Sequence, residues 1–150
     1  PDSIAISLSN SNAIKDYKLG SDNKRFFITS LSMGNPHTVI FVDNLDETLI
    51  KKWGQKIENH HLFPEKTNVE FVEIINKNKI KMEVWERGVG RTLACGTGAC
   101  AAVAAGIKKD LISKEVSVKL PGGKLNIHWK EDGLYMTGAV ELVYEGQIIL

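Results

Sequence analysis

The sequence predicts an α+β fold in which a curved, mostly antiparallel or mixed β-sheet wraps around one buried helix. Three observations carry this expectation. Short runs of β-branched and aromatic residues recur between Gly, Pro and Asn clusters, the mark of many short strands. The run 99–107, Ala-Cys-Ala-Ala-Val-Ala-Ala-Gly-Ile, is small or apolar nearly all round, as in a helix enclosed on every side. A second segment, 44–59, carries its apolar residues on a single helical face.

Taken in order, Ile4, Ile6 and Leu8 alternate with small or polar residues and read as a strand. Residues 10–23 are polar and read as a loop holding a short strand around Tyr17 to Leu19. Phe26-Phe27-Ile28 and Val39-Ile40-Phe41-Val42 are strands flanking the turn Gly34-Asn35-Pro36-His37. Asn44 followed by Glu47 has the form of an N-cap with its capping-box acid, opening a helix to about Asn59 with Leu45, Leu49, Trp53 and Ile57 on one face. His60-His61-Leu62-Phe63-Pro64 ends it, and no ligand set accompanies the two histidines to make a metal site.

Residues 69–74 and 80–85 form a hairpin about the turn at 76–79. Residues 87–92 read as a glycine-broken loop leading to the enclosed helix, which starts near Thr97. Strands follow at Val116 to Val118, at 125–127, at 134–136 and at 140–143, separated by Pro121-Gly122-Gly123 and Glu131-Asp132-Gly133. No internal repeat or low-complexity segment interrupts the pattern.

A chain of 150 residues suffices for one domain with its own core. Its 43% hydrophobic and 25% charged content is that of an ordinary globular protein. A net charge of +1 gives no electrostatic reason to expect nucleic acid or an acidic membrane as partner. No run approaches the roughly 18 apolar residues of a membrane-spanning helix. The start Pro1-Asp2-Ser3 shows no secretory signal and, lacking Met, reads as that of a fragment. Two cysteines close together point to a reducing compartment, so the cytoplasm is expected.

The chemistry concentrates at Cys95. It stands just before Gly96-Thr97-Gly98, where the enclosed helix opens. Helix-terminal N–H groups and the positive end of the dipole then face the sulfur, which is expected to lower its pKa and favour thiolate. The same amides can hold a carboxylate. Cys100, inside the alanine run, reads instead as a small buried hydrophobe.

Glu86-Arg87-Gly88-Val89-Gly90 with Thr92-Leu93-Ala94-Cys95-Gly96-Thr97-Gly98-Ala99-Cys100-Ala101 resembles a cysteine motif of diaminopimelate epimerases. Met33-Gly34-Asn35-Pro36-His37, Thr67-Asn68-Val69, Met136-Thr137-Gly138 and Val143-Tyr144-Glu145-Gly146 resemble further segments of that family, in the same order. Arg91 departs from the pattern, which more often has an acid there. The family's other half, with its Cys-Gly-Asn-Gly motif, is absent from this sequence.

The resemblance implies a barrel-like sheet around a central helix. It places residues 1–143 in the C-terminal domain of such an enzyme, and residues 144–150 in a terminal strand that pairs with the missing N-terminal half. It further implies a cofactor-independent epimerase interconverting LL- and meso-diaminopimelate for lysine and peptidoglycan biosynthesis, with no cofactor or metal. Cys95 is then one of two catalytic cysteines, the other coming from the missing half, so the isolated chain is expected to be inactive.

On the same resemblance His37 and Glu86 tune cysteine ionisation. Asn35, Asn68, Glu86, Arg87, Gly96 and Thr97 bind substrate, and a homodimer is implied. The chemistry is consistent: two thiols on opposite faces of a carbon can exchange thiol and thiolate roles, and an Arg–Glu pair can clamp a carboxylate and an ammonium.

Rival readings are weaker or broader. Gly96-x-Gly98-x-x-Ala101, with Glu115 downstream, mimics a dinucleotide fingerprint, but no strand runs directly into the glycines. A proline-racemase or phenazine-biosynthesis type of isomerase shares the two-lobed plan. A noncatalytic half that binds amino acids or a protein partner is the remaining alternative.

Overall fold

A computed structural model describes the backbone of residues 14–21 and residues 24–149. The strand expected at Ile4 to Leu8 lies outside the described residues. The elements are β1 (Ile14–Ser21), β2 (Lys24–Ser32), β3 (Pro36–Val42), α1 (Glu47–Glu58), β4 (Asn68–Asn76), β5 (Lys79–Glu86), β6 (Gly90–Thr92), α2 (Gly96–Lys108), β7 (Glu115–Leu120), β8 (Gly123–Trp129) and β9 (Leu134–Gly138).

All nine strands join one mixed sheet in the order β1-β2-β3-β4-β5-β7-β8-β9, with β6 paired to β5. The pairs β3–β4 and β5–β7 are parallel, and the remainder are antiparallel. Each parallel pair needs a crossover, and α1 and α2 supply them. The fold class is therefore sheet-dominated α+β with two helices, as predicted. Among the described residues the sheet does not close into a barrel. Closure requires the end strands to exchange backbone hydrogen bonds, and of the described strands β9, five residues long, pairs with β8 alone.

The sheet has a core on each face. Phe26, Ile28, Ile40, Val69 and Phe71 pack with Ile50, Trp53 and Ile57 of α1. Val39, Val72, Ile80, Met82, Val84, Val116, Val118 and Ile127 pack with the alanines of α2. β4 alternates Val69 and Phe71 to one core with Val72 to the other, so its first five residues are all buried. α2 touches β2, β3, β4, β5, β8 and β9. Along it Gly98, Ala99 and 101–106 are buried, which only small side chains allow at so many strand contacts.

Local differences from the sequence reading each have a cause. The strand around Tyr17 to Leu19 extends over β1 because it pairs along its length with β2. Asp46, not Asn44, caps α1, its Oδ1 accepting the Leu49 N–H at 2.9 Å. Glu47 is then the first helical residue and binds Lys51 and Arg91 instead of closing a capping box. The presumed loop at 87–92 contains β6, formed by a tight reversal in which Gly88 and Gly90 take φ of +75° and +103°. No strand forms at 140–143: Val140 and Val143 are 97% and 86% exposed, with no neighbour to bury either face.

Candidate functional site

Parallel pairing of β3 with β4, followed by antiparallel pairing of β4 with β5, brings three strand ends together. His37 aligns with Asn68, and Val69 with Trp85. The start of β3 (Asn35, His37), the start of β4 (Asn68, Glu70) and the end of β5 (Glu86, Arg87) thus share one end of the sheet. The N-terminus of α2 meets them there.

Cys95 is the N-cap of α2, and its Sγ accepts the Gly98 N–H at 3.4 Å. Thr97 Oγ1 lies 3.6 Å from the same sulfur. Gly96 and Thr97, the first two helical residues, have N–H groups with no acceptor inside the helix. Met136 of β9 lies against Gly96, its Sδ 3.0 Å from where a Cβ would stand.

The expectation of a lowered thiol pKa is overturned. Burial pushes the Cys95 thiol up, and the negative charges of Glu86 and Glu70 add to that rise. The Thr97 and Gly98 hydrogen bonds pull it down, but by less. The Gly98 amide acts as predicted, yet desolvation of a nearly covered sulfur outweighs it. Cys100 is also raised by burial. Both cysteines are free thiols.

Glu70 was not singled out in the sequence, although His37, its partner, was. Glu70 is fully buried, and its Oε1 lies 2.6 Å from His37 Nδ1. Among the described residues its Oε2 has no hydrogen-bond partner. Burial pushes its carboxyl above the usual range, the His37 hydrogen bond opposing. The other face of the His37 ring meets Asn35, with Nε2 3.0 Å from Oδ1. Glu70 Oε1 and Cys95 Sγ fall 2.9 and 3.2 Å from the position of a Cβ on Gly98. Only glycine leaves room there, so the helix start, the sulfur and the buried acid converge on one residue.

Asn68 is held from two sides. Its Nδ2 donates to Pro36 O at 2.8 Å and its Oδ1 accepts the Arg87 N–H at 2.9 Å. Glu86 accepts from the Thr92 hydroxyl. The exposed Arg87 side chain donates through Nη1 to Glu65 O at 3.2 Å, leaving other guanidinium donors unspent. Glu58, also missed by sequence reading, anchors this turn from α1. Its buried carboxylate accepts from Trp85 Nε1 at 2.8 Å and from the Gly88 N–H at 2.9 Å. An acid at helical spacing on an exposed-looking face, opposite a tryptophan, was the available signal.

Arg91, the residue that departs from the family pattern, is structural. It binds Glu83 through Nε at 2.7 Å and reaches Glu47 through Nη2 at 3.2 Å, tying β6 to β5 and α1. Among the described residues no group of three His, Cys, Asp or Glu side chains converges to hold a metal. Likewise no helix is long and apolar enough to cross a membrane.

The fold, a mixed sheet with two helices, is shared with solved proteins of another family. Solved phenazine-biosynthesis PhzF-family proteins from Bacillus anthracis and Enterococcus faecalis superpose with TM-scores of 0.53 each. Their identities are 20% and 15%, over 74% and 71% of this chain and 38% and 40% of theirs. By sequence the chain belongs to the diaminopimelate epimerase family, whose model matches residues 29–143. Relatives named diaminopimelate epimerase are 53% identical in Halothermothrix orenii over 91% of this chain, and 47% identical in Methanococcus maripaludis over 94%. The matches cover 48% and 52% of those relatives, so the chain spans about half the length of the curated proteins it matches.

Proposed function

We propose that this chain is the Cys95-bearing half of a cofactor-independent epimerase that interconverts LL- and meso-diaminopimelate in the cytoplasm, serving lysine and peptidoglycan synthesis. The observation that carries the reading is the convergence on one sheet end of Cys95 at the helix start, the Asn35–His37–Glu70 chain and the Asn68–Arg87 contact. In this reading the open sheet curves about α2 as the central helix.

The α-proton of an amino acid is weakly acidic, so its removal demands stabilisation of the charge that spreads onto the carboxylate. Amides of Gly96 and Thr97 are placed for that task. One sulfur takes the proton as thiolate while a second sulfur, on the opposite face, gives one as thiol. The carbon inverts and the two sulfurs exchange states. Burial favours Cys95 as a thiol before substrate binds; it gives the proton in one direction of the interconversion and takes it in the other, the sulfur of the complementary half doing the reverse. Glu86 and Arg87 clamp the ammonium and carboxylate of the nonreacting end, with Asn35 and Asn68 as further polar contacts. His37 and Glu86 tune the sulfur.

The exposed apolar residues of the segment after β9, among them Tyr144, Ile148 and Ile149, support its assignment to a strand completed by that other half. The test joins this chain to its complementary half and follows solvent deuterium entering the α-carbon of diaminopimelate. Exchange is expected to be abolished by Cys95→Ser and retained by Cys100→Ser. Exchange surviving Cys95→Ser, or absent from the joined protein altogether, refutes the reading and leaves a binding module.

A further inference from the structure

We infer that Glu58 is a positioning residue for substrate recognition: it fixes the turn at 86–88 and thereby the direction in which Arg87 presents its guanidinium. This deepens the epimerase reading and rests on it for the identity of the ligand.

Glu58 closes α1, one helical turn after Gly54 and so on the same face. Gly54 admits the Trp85 indole against the helix, and Trp85 Nε1 donates to Glu58 Oε2 at 2.8 Å. Glu58 Oε1 accepts the Gly88 N–H at 2.9 Å. A single carboxyl group therefore grips the residue on each side of the Glu86–Arg87 pair. Between those grips the Arg87 N–H donates to Asn68 Oδ1 at 2.9 Å, and the Val89 N–H to Glu86 O at 3.0 Å.

Hydrogen bonds rather than packing define this turn. Among the described residues nothing lies within 4 Å of where a Cβ on Gly88 would stand, and the φ of Gly88 is +75°. Gly88 is exposed, so water can satisfy its N–H as well as Glu58 does. Glu58 is only 4% exposed, and burying an acid is costly unless its oxygens are paired. Lys66, half-exposed and 3.8 Å away, adds only a screened attraction. What Glu58 supplies is direction: of the orientations open to a solvated Gly88 amide it selects one.

That direction matters for Arg87. Its side chain leaves the turn between two fixed peptides, and Nη1 donates to Glu65 O in the loop that follows Glu58. The remaining N–H donors form the fork that suits a carboxylate. A turn free to roll would carry the fork with it, and binding would have to order both. The effect belongs to affinity for the nonreacting end of the substrate and not to proton transfer at Cys95.

The experiment uses the chain joined to its complementary half. Glu58→Met keeps the length of the side chain but accepts neither N–H. Its KM for diaminopimelate is expected to rise about ten- to thirtyfold, the loss of one charge-assisted hydrogen bond. Its kcat should stay within about threefold, as when binding common to ground and transition states is removed. Glu58→Gln keeps one carbonyl acceptor and should raise KM about fivefold. In an Arg87→Ala background neither substitution should change KM by more than about twofold, because the group they act through is gone.

A purely structural role predicts the same loss in both backgrounds, and that result overturns the inference. An unchanged KM in Glu58→Met overturns it too, as does a kcat that falls while KM holds. Should Glu58→Met fail to fold, Glu58→Gln carries the same cycle. Nitrogen-15 spectra follow the Gly88 amide without turnover: loss of its acceptor should shift the resonance and speed its hydrogen exchange, and an unmoved amide refutes the hold of Glu58 at any activity. Absence of deuterium exchange at the α-carbon in the unmodified protein refutes the epimerase reading and the KM role with it, while the amide still decides whether Glu58 fixes the turn.

Discussion

At the scale of single residues, the site turns on how two opposing effects divide at Cys95. The Gly98 amide and the Thr97 hydroxyl stabilise thiolate, while burial and the charges of Glu86 and Glu70 favour thiol. Sequence order placed the sulfur at a helix start correctly, but its burial follows from the core that α2 shares with strands distant in sequence. In a Cys100→Ser background, alkylation of Cys95 by iodoacetamide should accelerate with pH about a midpoint above that of an ordinary thiol. Thr97→Val removes a group that donates to the charged form, so the midpoint should move further up. A midpoint at or below the ordinary thiol value contradicts a Cys95 thiol held up by burial.

At the scale of elements, α1 holds the clamp turn that it never enters. Glu58 binds Trp85 and the Gly88 amide, and Gly54 lets the Trp85 side chain lie directly on the helix. A Cβ on Gly54 would stand 2.6 to 2.8 Å from Trp85 Cδ2, Cγ and Cβ, atoms that have little freedom to retreat. Gly54→Ala gains about 1 kcal/mol in helix propensity and loses about 1–3 kcal/mol to overpacking. The expected result is a lower urea midpoint together with faster amide exchange at Gly88. Gly106→Ala is the comparison. Its Cβ meets Ile112 Cδ1 and Cγ1 at 2.6 and 2.8 Å, so its midpoint should fall as well, but without faster exchange at Gly88.

These contacts also mark the limit of what periodicity reveals. The apolar stripe of α1 and the small-residue run of α2 were legible, because local spacing alone encodes them. The roles of Glu58 and Glu70 were not, because each depends on a partner about 30 residues away, nor was the β6 reversal, which depends on the φ of two glycines; the cap at Asp46 is local, but Asn44 offered the same capping chemistry two residues earlier.

For the molecule as a whole, motif order located Asn35, His37, Asn68, Glu86, Arg87 and Cys95. Only the parallel crossover β3–β4 explains why residues so far apart in sequence share one sheet end. Closure into a barrel was misjudged because strand patterns report faces and not edges. The described residues after β9 carry no strand, yet Leu142, Val143, Tyr144, Ile148 and Ile149 are 74%, 86%, 83%, 87% and 98% exposed. An apolar segment beside an edge strand favours pairing with whatever chain can add a strand to it.

The isolated chain should accordingly self-associate as its concentration rises, measured by sedimentation velocity, and the complementary half should suppress that association. Deleting residues 144–150 should leave the melting temperature nearly unchanged, since those of them that are described lie outside both cores. The same deletion should weaken capture of the complementary half at least about tenfold, the loss expected from removing a few buried apolar side chains from an interface. If capture is as tight without the segment as with it, the two halves meet elsewhere, and the tail is no part of their joint.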